Sequence, residues 1–306
     1  MAEVDFSASI AQAALNVARS ARARAILLYA DALAGLEAFD RKNRGPTDLI
    51  LLLRDAEDRA RAASVTDQLL EVPPFELTRM GQIKMGVLLA FSNRLLAPGE
   101  RFVFCVGPPG KPIDTLMVMQ VGEEYELVHS VDQPRLTEHI RRVVFQRVLS
   151  LALQLAVEGR EGKPVGAIFV IGSYRELEKF CQQMIINPFK GYPERERNIL
   201  HDHMAETVKE FATIDGAFII KGNGVIVSAG TMLRPSVAGQ RIPQGLGARH
   251  AVAASITASA KCLSITVSES NGTVRVWRRG QMITEIERAH ASPQGPGPQL
   301  LDHAMG

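Results

Sequence analysis

Asp215-Gly216-Ala217-Phe218-Ile219-Ile220-Lys221-Gly222-Asn223-Gly224-Val225-Ile226-Val227-Ser228 is two apolar runs separated by an Asn-Gly pair. Both residues of such a pair tolerate the positive φ of a tight β-turn, so the stretch predicts a hairpin of Ala217–Ile220 against Val225–Ser228. The pattern returns downstream, where Leu263–Ser268 and Val274–Trp277 flank Asn271-Gly272. Between the hairpins, His250–Ala260 is rich in Ala and predicts a helix.

Outward from this core, Gly166–Ile171 reads as a buried strand, followed by a helix over Tyr174–Ile185. A loop through Asn187-Pro188-Phe189-Lys190-Gly191-Tyr192-Pro193 leads to a second helix over Glu194–Phe211. A long helix over Leu136–Ala156 precedes them, ended by the polar, Gly-containing Glu158–Lys163. Further upstream, Ala and Leu recur at helical spacing from Ile10 to Leu36, interrupted by Ala25–Tyr29. That run, Asp48–Leu53 and Arg101–Val106 are short and apolar, and the helical pattern Met80–Leu96 lies between the last two. Short buried strands alternating with amphipathic helices imply a parallel α/β unit. Gly107-Pro108-Pro109-Gly110 breaks it, and Leu116–Val121 and Tyr125–His129 are two further candidate strands. The chain thus divides into an α/β domain over 1–132, a connecting helix over 133–160, a second α/β domain over 161–287, and a tail over 288–306 whose Gly, Pro, Ser and His content suggests disorder.

The 306 residues are 46% hydrophobic and 22% charged, enough apolar material for two ordinary cores. With 35 basic and 33 acidic residues the net charge is +2, which argues against a dedicated nucleic-acid binder but leaves room for a local nucleotide site. Cys105, Cys181 and Cys262 are widely spaced among apolar neighbours, as packing residues are. The N-terminus has no signal-peptide pattern, and the longest apolar runs are too short to span a bilayer, so the expected setting is the cytoplasm, without membrane attachment.

Three constellations carry chemistry. Asp215-Gly216-Ala217 puts a carboxylate next to backbone that a ligand can approach closely. Gly245-Leu246-Gly247-Ala248-Arg249-His250 opens the Ala-rich helix, where unpaired N–H groups and the dipole favour phosphate. Arg249 adds a cation there and His250 a metal ligand or hydrogen-bond donor. Ser268-Glu269-Ser270 sets hydroxyls and a carboxylate at the edge of the second hairpin. Taken singly, each has an ordinary account as a turn, loop or hairpin end.

In order along one chain, these motifs closely resemble the diadenylate cyclase domain, the catalytic module of the DNA-integrity scanning family. The matching residues are Asp215-Gly216-Ala217, then Gly247-Ala248-Arg249-His250 with Thr257, then Ser268-Glu269-Ser270 with Gly272 and Val274-Arg275-Val276. The Asn187–Pro193 run is similar to archaeal-type members, and the likeness covers residues 160–285. The first domain is similar, more loosely, to the C-terminal domain of pyruvate kinase, through its strand–helix pattern and Phe102-Val103-Phe104-Cys105-Val106-Gly107. The resemblance implies a mixed sheet flanked by helices, with a nucleotidyltransferase activity that joins two ATP into cyclic di-AMP for second-messenger signalling. It implies Asp215, Arg249 and His250 as catalytic residues. The ATP-binding residues would be Gly216, Ala217, Leu233, Gly247, Ala248, Arg249, His250, Ser268 and Glu269, and Asp215, His250 and Glu269 would hold Mn²⁺ or Mg²⁺. Where the family has Arg-His-Arg, this chain has Arg249-His250-Ala251, so the alternative is a catalytically impaired nucleotide-binding sensor. A single set of motifs for a symmetric, two-linkage product implies a homo-oligomer with cyclase domains face to face.

Overall fold

A computed structural model describes residues 7–32, 36–108, 111–122, 139–236 and 247–289. Its first unit contains α1 (Ser7–Ala21), β1 (Ala25–Tyr29), α2 (Arg41–Arg44), β2 (Asp48–Leu53), α3 (Asp58–Ala63), β3 (Leu69–Glu71), α4 (Arg79–Ser92), β4 (Arg101–Val106) and β5 (Thr115–Gln120). The strand order is β3-β2-β1-β4-β5, parallel except for the antiparallel edge β5. Every residue of β1 is buried, as a parallel strand covered on both faces requires. Ile26 and Leu28 face Ala11, Ala14 and Leu15 of α1, while Leu27 and Tyr29 share a core with Ile83 and Val87 of α4. Thr78 caps α4 by accepting a hydrogen bond from the Gly81 N–H.

The second unit contains α5 (Arg142–Glu158), β6 (Ala167–Gly172), α6 (Tyr174–Leu177), β7 (Cys181–Gln183), α7 (Met204–Phe211), β8 (Ala217–Lys221), β9 (Ile226–Leu233), α8 (Ala248–Ser259), β10 (Cys262–Val267), β11 (Val274–Arg278) and β12 (Gln281–Ile286). The strand order is β12-β11-β10-β6-β8-β9-β7, and only β6 and β8 pair in parallel. Strand alternation divides the core. Phe169, Ile171, Phe218 and Ile265 pack with α5, and Ile168, Val170, Ile219 and Trp277 pack with Ala253 and Ile256 of α8. Both predicted hairpins form, closed at Asn223-Gly224 and Asn271-Gly272.

The units share one continuous apolar cluster, and α4 is buried from Gly81 to Ala90 without a break because both units cover it. Backbone contacts fix this junction. Leu77 forms a bridge with Arg288, the Thr78 N–H donates to the Glu287 carbonyl at 3.3 Å, and the Ala289 N–H donates to Glu76 at 3.0 Å.

Several expectations change. The helix over Tyr174–Ile185 shrinks to α6 and a 3₁₀ turn, because Cys181–Gln183 pairs with Thr231–Leu233 as an edge strand. The helix over Glu194–Phe211 begins only at Met204. Before it, Arg197 accepts from the Ile226 N–H and Ile199 donates to Gly224, so that backbone bonds to the first hairpin rather than to itself. The long connecting helix starts at Arg142, and β3 and β12 are strands the sequence reading did not place. The candidate strand Tyr125–His129, Gly245-Leu246 of the second motif, and the tail from His290 onward lie outside the described residues. Cys105 and Cys262 are buried thiols, and burial pushes the pKa of each up to about 12, as expected of packing cysteines.

Candidate active site

Parallel pairing of β6 with β8 and antiparallel pairing of β6 with β10 bring Asp215, Gly166 and Glu269 to one end of the second sheet. Arg249, in the first turn of α8, reaches over that end. Its Nη2 donates to Asp215 Oδ1 at 3.1 Å and its Nη1 to Glu269 Oε2 at 2.9 Å. Gly166 makes room for this head group, since a Cβ there would strike the guanidinium. Asp215 is 83% exposed and Glu269 60%, so the pairs are solvent-screened and individually weak. A ligand with a stronger claim on the guanidinium can therefore displace them. The three side chains line a cleft of ≈ 640 Å³ together with Arg160, Lys163 and Thr213. A cleft of the same volume at the opposite end of β10, lined by Lys261, Cys262 and Arg279, contains Thr257 but none of the expected catalytic, ATP-binding or metal residues.

The remaining expected residues are distributed around this centre. Gly216 has φ +113°, and a Cβ there would come within 2.6 Å of the Gly230 and Thr231 backbone, so the chain crosses β9 at a distance only glycine permits. Ala217 is buried at the start of β8, opposite Thr231. Gly247 and Ala248 are exposed at the start of α8, where no side chain caps Gly247. Ser268 is buried and its hydroxyl lies 3.1 Å from that of Ser270, in a smaller depression beside Gly272 and Arg288 rather than in the main cleft. Leu233 is buried at the end of β9, packed with Leu177 and Phe180, and does not line the cleft.

His250 is the main correction. Although adjacent to Arg249, it points into the protein, 6% exposed, with its ring centroid 6.1 Å from that of Trp277. Its Nε2 lies 3.2 Å from Arg275 Nη1. A guanidinium only donates, so Nε2 accepts and the ring proton sits on Nδ1, which is buried and has no partner among the described residues. Burial, then the Arg275 and Arg249 charges, lower its pKa from the ordinary 6.5 to about 4. The proposed metal set of Asp215, His250 and Glu269 is therefore not assembled at one point. Two of its members flank Arg249 and the third is engaged elsewhere. Among the described residues no group of three or more His, Cys, Asp or Glu forms a metal-binding cluster. These residues as arranged do not fit a three-ligand cation site.

Arg160, Lys163 and Arg275 were not singled out by role. The first two lie in a segment read as a helix end. For Arg275 a signal exists, because a charge between Val274 and Val276 in a fully buried strand demands a partner.

Comparisons with known proteins bear on both units. Residues 154–282 match the family model described as "DisA bacterial checkpoint controller nucleotide-binding". Residues 7–128 match "Probable sensor domain DacZ_P", so the family found for the first unit is a sensor domain rather than pyruvate kinase. The alternating strands and helices behind the pyruvate kinase likeness are shared by many unrelated α/β folds. A diadenylate cyclase of Methanocaldococcus jannaschii is 36% identical over 214 residues, 67% of this chain and 66% of that protein, just under two thirds of its length. A diadenylate cyclase of Haloferax volcanii is 34% identical over 212 residues, 67% of this chain and 75% of that one. The crystal structure of DacA from Staphylococcus aureus aligns at a TM-score of 0.32 and 22% identity, over 45% of this chain and 83% of that one, too low a score to carry an argument. Among the described residues no helix is long and apolar enough to cross a membrane. With one residue from each of the three motifs at one cleft, and with relatives of this identity matched along most of their length, the chain belongs to the diadenylate cyclase family.

Proposed function

We propose that this chain joins two ATP into cyclic di-AMP and releases two pyrophosphates, and that the Asp215–Arg249–Glu269 cleft is where it does so. The observation that carries the reading is the sharing of one guanidinium by two carboxylates from different motifs. Phosphate competes for that guanidinium with a bidentate, more highly charged grip, so ATP would take Arg249 from the carboxylates and free Asp215. The N–H groups at the start of α8 would add to the phosphate hold. Asp215, no longer neutralised, would accept the proton of an incoming 3′-hydroxyl as that oxygen bonds to the α-phosphorus of the other nucleotide. The bond from the α-phosphorus to the bridging oxygen breaks in the same displacement, and pyrophosphate leaves with the electron pair. Lys163 would add positive charge at the cleft wall, while Arg160 there is paired with Glu206 and Glu210. Gly216 would admit the nucleotide close to the backbone, whereas Ala217, Leu233 and Ser268, which do not line this cleft, would meet ATP only where it extends beyond it. A divalent cation, Mn²⁺ or Mg²⁺, belongs to the proposal as the companion of the ATP phosphates, whose charge it neutralises.

Each ring needs two such sites, so two chains would face each other, each presenting one ATP, in a cytoplasmic enzyme with no need of nucleic acid or membrane. The deciding experiment incubates the purified chain with ATP and Mn²⁺ or Mg²⁺ and identifies the product by mass. The expected result is cyclic di-AMP with two pyrophosphates per ring. ATP bound but unchanged would instead support the impaired-sensor alternative suggested by Ala251.

A further inference from the structure

A chain of polar contacts, buried at Lys84, Arg275 and His250 and half-buried at Glu285, runs from the first unit to the motif helix. Lys84, on the fully enclosed part of α4, is 8% exposed and lies 3.9 Å from Glu285 Oε1 of β12. Glu285 Oε2 accepts from Arg275 Nε of β11 at 3.1 Å. Arg275 Nη1 donates in turn to His250 Nε2 at 3.2 Å. His250 follows Arg249, which holds Asp215 and Glu269.

We propose that Arg275 is a positioning residue for the reaction, and that the Lys84–Glu285–Arg275–His250 chain makes the pose of the motif helix depend on how the first unit is seated. The inference rests on the cyclase reading of the cleft. A buried arginine must satisfy several donors at once, and here its partners sit on two different elements, β12 and α8. Holding Nε2 as an acceptor fixes both the ring's orientation and its tautomer, with the ring proton on Nδ1. A lysine at 275 could not do this equally well, because an ammonium lacks the planar fork that spans carboxylate and imidazole. Glu285 is the shared member, since each of its oxygens faces a different cation. The backbone contacts of Thr78 and Leu77 with Glu287 and Arg288 clamp the same region, so a shift of α4 moves β12 and its glutamate with it. A state change in the first unit thus reaches Arg249 through Lys84, the half-buried Glu285, Arg275 and His250.

The test uses the full chain with ATP and Mn²⁺. It reads turnover, KM for ATP, thermal unfolding, and the ring-nitrogen resonances of His250, assigned by their loss in His250→Gln. In the unsubstituted protein His250 should show an unprotonated Nε2. Arg275→Gln should lower kcat about 10- to 100-fold with KM nearly unchanged, and move His250 toward the Nε2-protonated form. Arg275→Lys should recover part of both. Lys84→Met, which keeps the apolar stem of the side chain, should lower kcat about 3-fold or more while leaving the cleft intact. Unmoved His250 resonances in folded Arg275→Gln overturn the positioning role, even if turnover falls. Should Arg275→Gln not fold, the tautomer in the unsubstituted protein decides that role, and a protonated Nε2 overturns it. Unaltered turnover in Lys84→Met overturns the link to the first unit. If the unsubstituted chain makes no cyclic di-AMP, the cyclase reading fails by itself, and the His250 resonances still decide the Arg275 contact.

Discussion

Strands β1 and β4 of the first sheet and β10 and β11 of the second are similarly buried and differently composed, although β6 at the centre of the second sheet is as apolar as β1. In the first sheet β1 is Ala-Ile-Leu-Leu-Tyr and β4 carries Phe102, Val103, Phe104, Cys105 and Val106, all enclosed. In the second, β11 is Val-Arg-Val-Trp-Arg with all five residues buried, and β10 buries Ser264 and Thr266. A strand of the first kind needs only matching apolar surface. One of the second kind needs partners for its polar groups: Arg275 reaches Glu285 and His250, and the Trp277 indole N–H donates to Thr266, whereas the Ser264 hydroxyl has none among the described residues. The first sheet invests its core in stability, whereas the second gives up part of that stability to hold side chains in set positions near one end.

The sharpest way to break this contrast is to substitute one residue of each kind. Asp215→Asn, at an exposed carboxylate, should lower turnover about 10²- to 10⁴-fold with little change in thermal unfolding or ATP affinity. Phe104→Ala, in the first sheet, should do the reverse. It deletes a fully buried ring packed near Tyr29 and against the Gly86 position, and should cost about 3–5 kcal/mol of stability. Mixing unsubstituted chain with excess Asp215→Asn, after verified subunit exchange, should also lower activity per unsubstituted chain if sites work in pairs. Wild-type turnover in Asp215→Asn would remove the cleft from the chemistry.

A second effect is smaller and concerns pH. His250 is held with its pKa at about 4, below the ordinary value of about 6.5. Between these values the unfolded chain binds more protons than the folded one, so stability is complete above about pH 6.5 and falls as pH drops toward about 4. The loss from this residue should reach about 3 kcal/mol. It should be absent in His250→Gln, measured by denaturant unfolding across the same range. A slope equally steep in His250→Gln would place the titration on other groups and leave the histidine unburied in solution.

What was legible in the chain follows the same division. Unbroken apolar runs such as Ala25–Tyr29 and Asp48–Leu53 became β1 and β2, because a strand covered on both faces has no polar face to confuse its reading. The Asn-Gly turns placed both hairpins for an equally local reason, the positive φ they tolerate. Apart from β5, read as Leu116–Val121, the edge strands were not legible: Cys181-Gln182-Gln183 has no apolar alternation, and its pairing with β9 is decided by tertiary contact. In the site, Asp215, Arg249 and Glu269 were found through the order of three motifs. The direction of His250 was not, since neighbours in sequence on a helix point about 100° apart and its partner Arg275 lies 25 residues away. Thr257, matched by motif alone, turns out to be structural, accepting the Gly280 N–H at 3.1 Å and tying α8 to the β11–β12 turn.

The last and smallest expected effect tests the resting state of the cleft itself. Gly166 lies beneath the Arg249 head group, and an added methyl would meet the guanidinium and the Glu269 Cβ, both side-chain atoms, with no backbone among its three nearest neighbours. The long arginine can swing aside at little cost to the fold, unlike the backbone that crowds Gly216. Gly166→Ala should therefore leave thermal unfolding within a few degrees of wild type. It should raise KM for ATP about 3- to 10-fold, because the phosphate ligand no longer starts from the floor of the cleft, with kcat changing less. Gly216→Ala, by comparison, should lower stability itself, by about 1–3 kcal/mol, because no flexible side chain can yield there. If Gly166→Ala binds ATP as well as the unsubstituted chain, Arg249 does not act from the position it holds between Asp215 and Glu269, and the exchange of carboxylates for phosphate must begin from another pose.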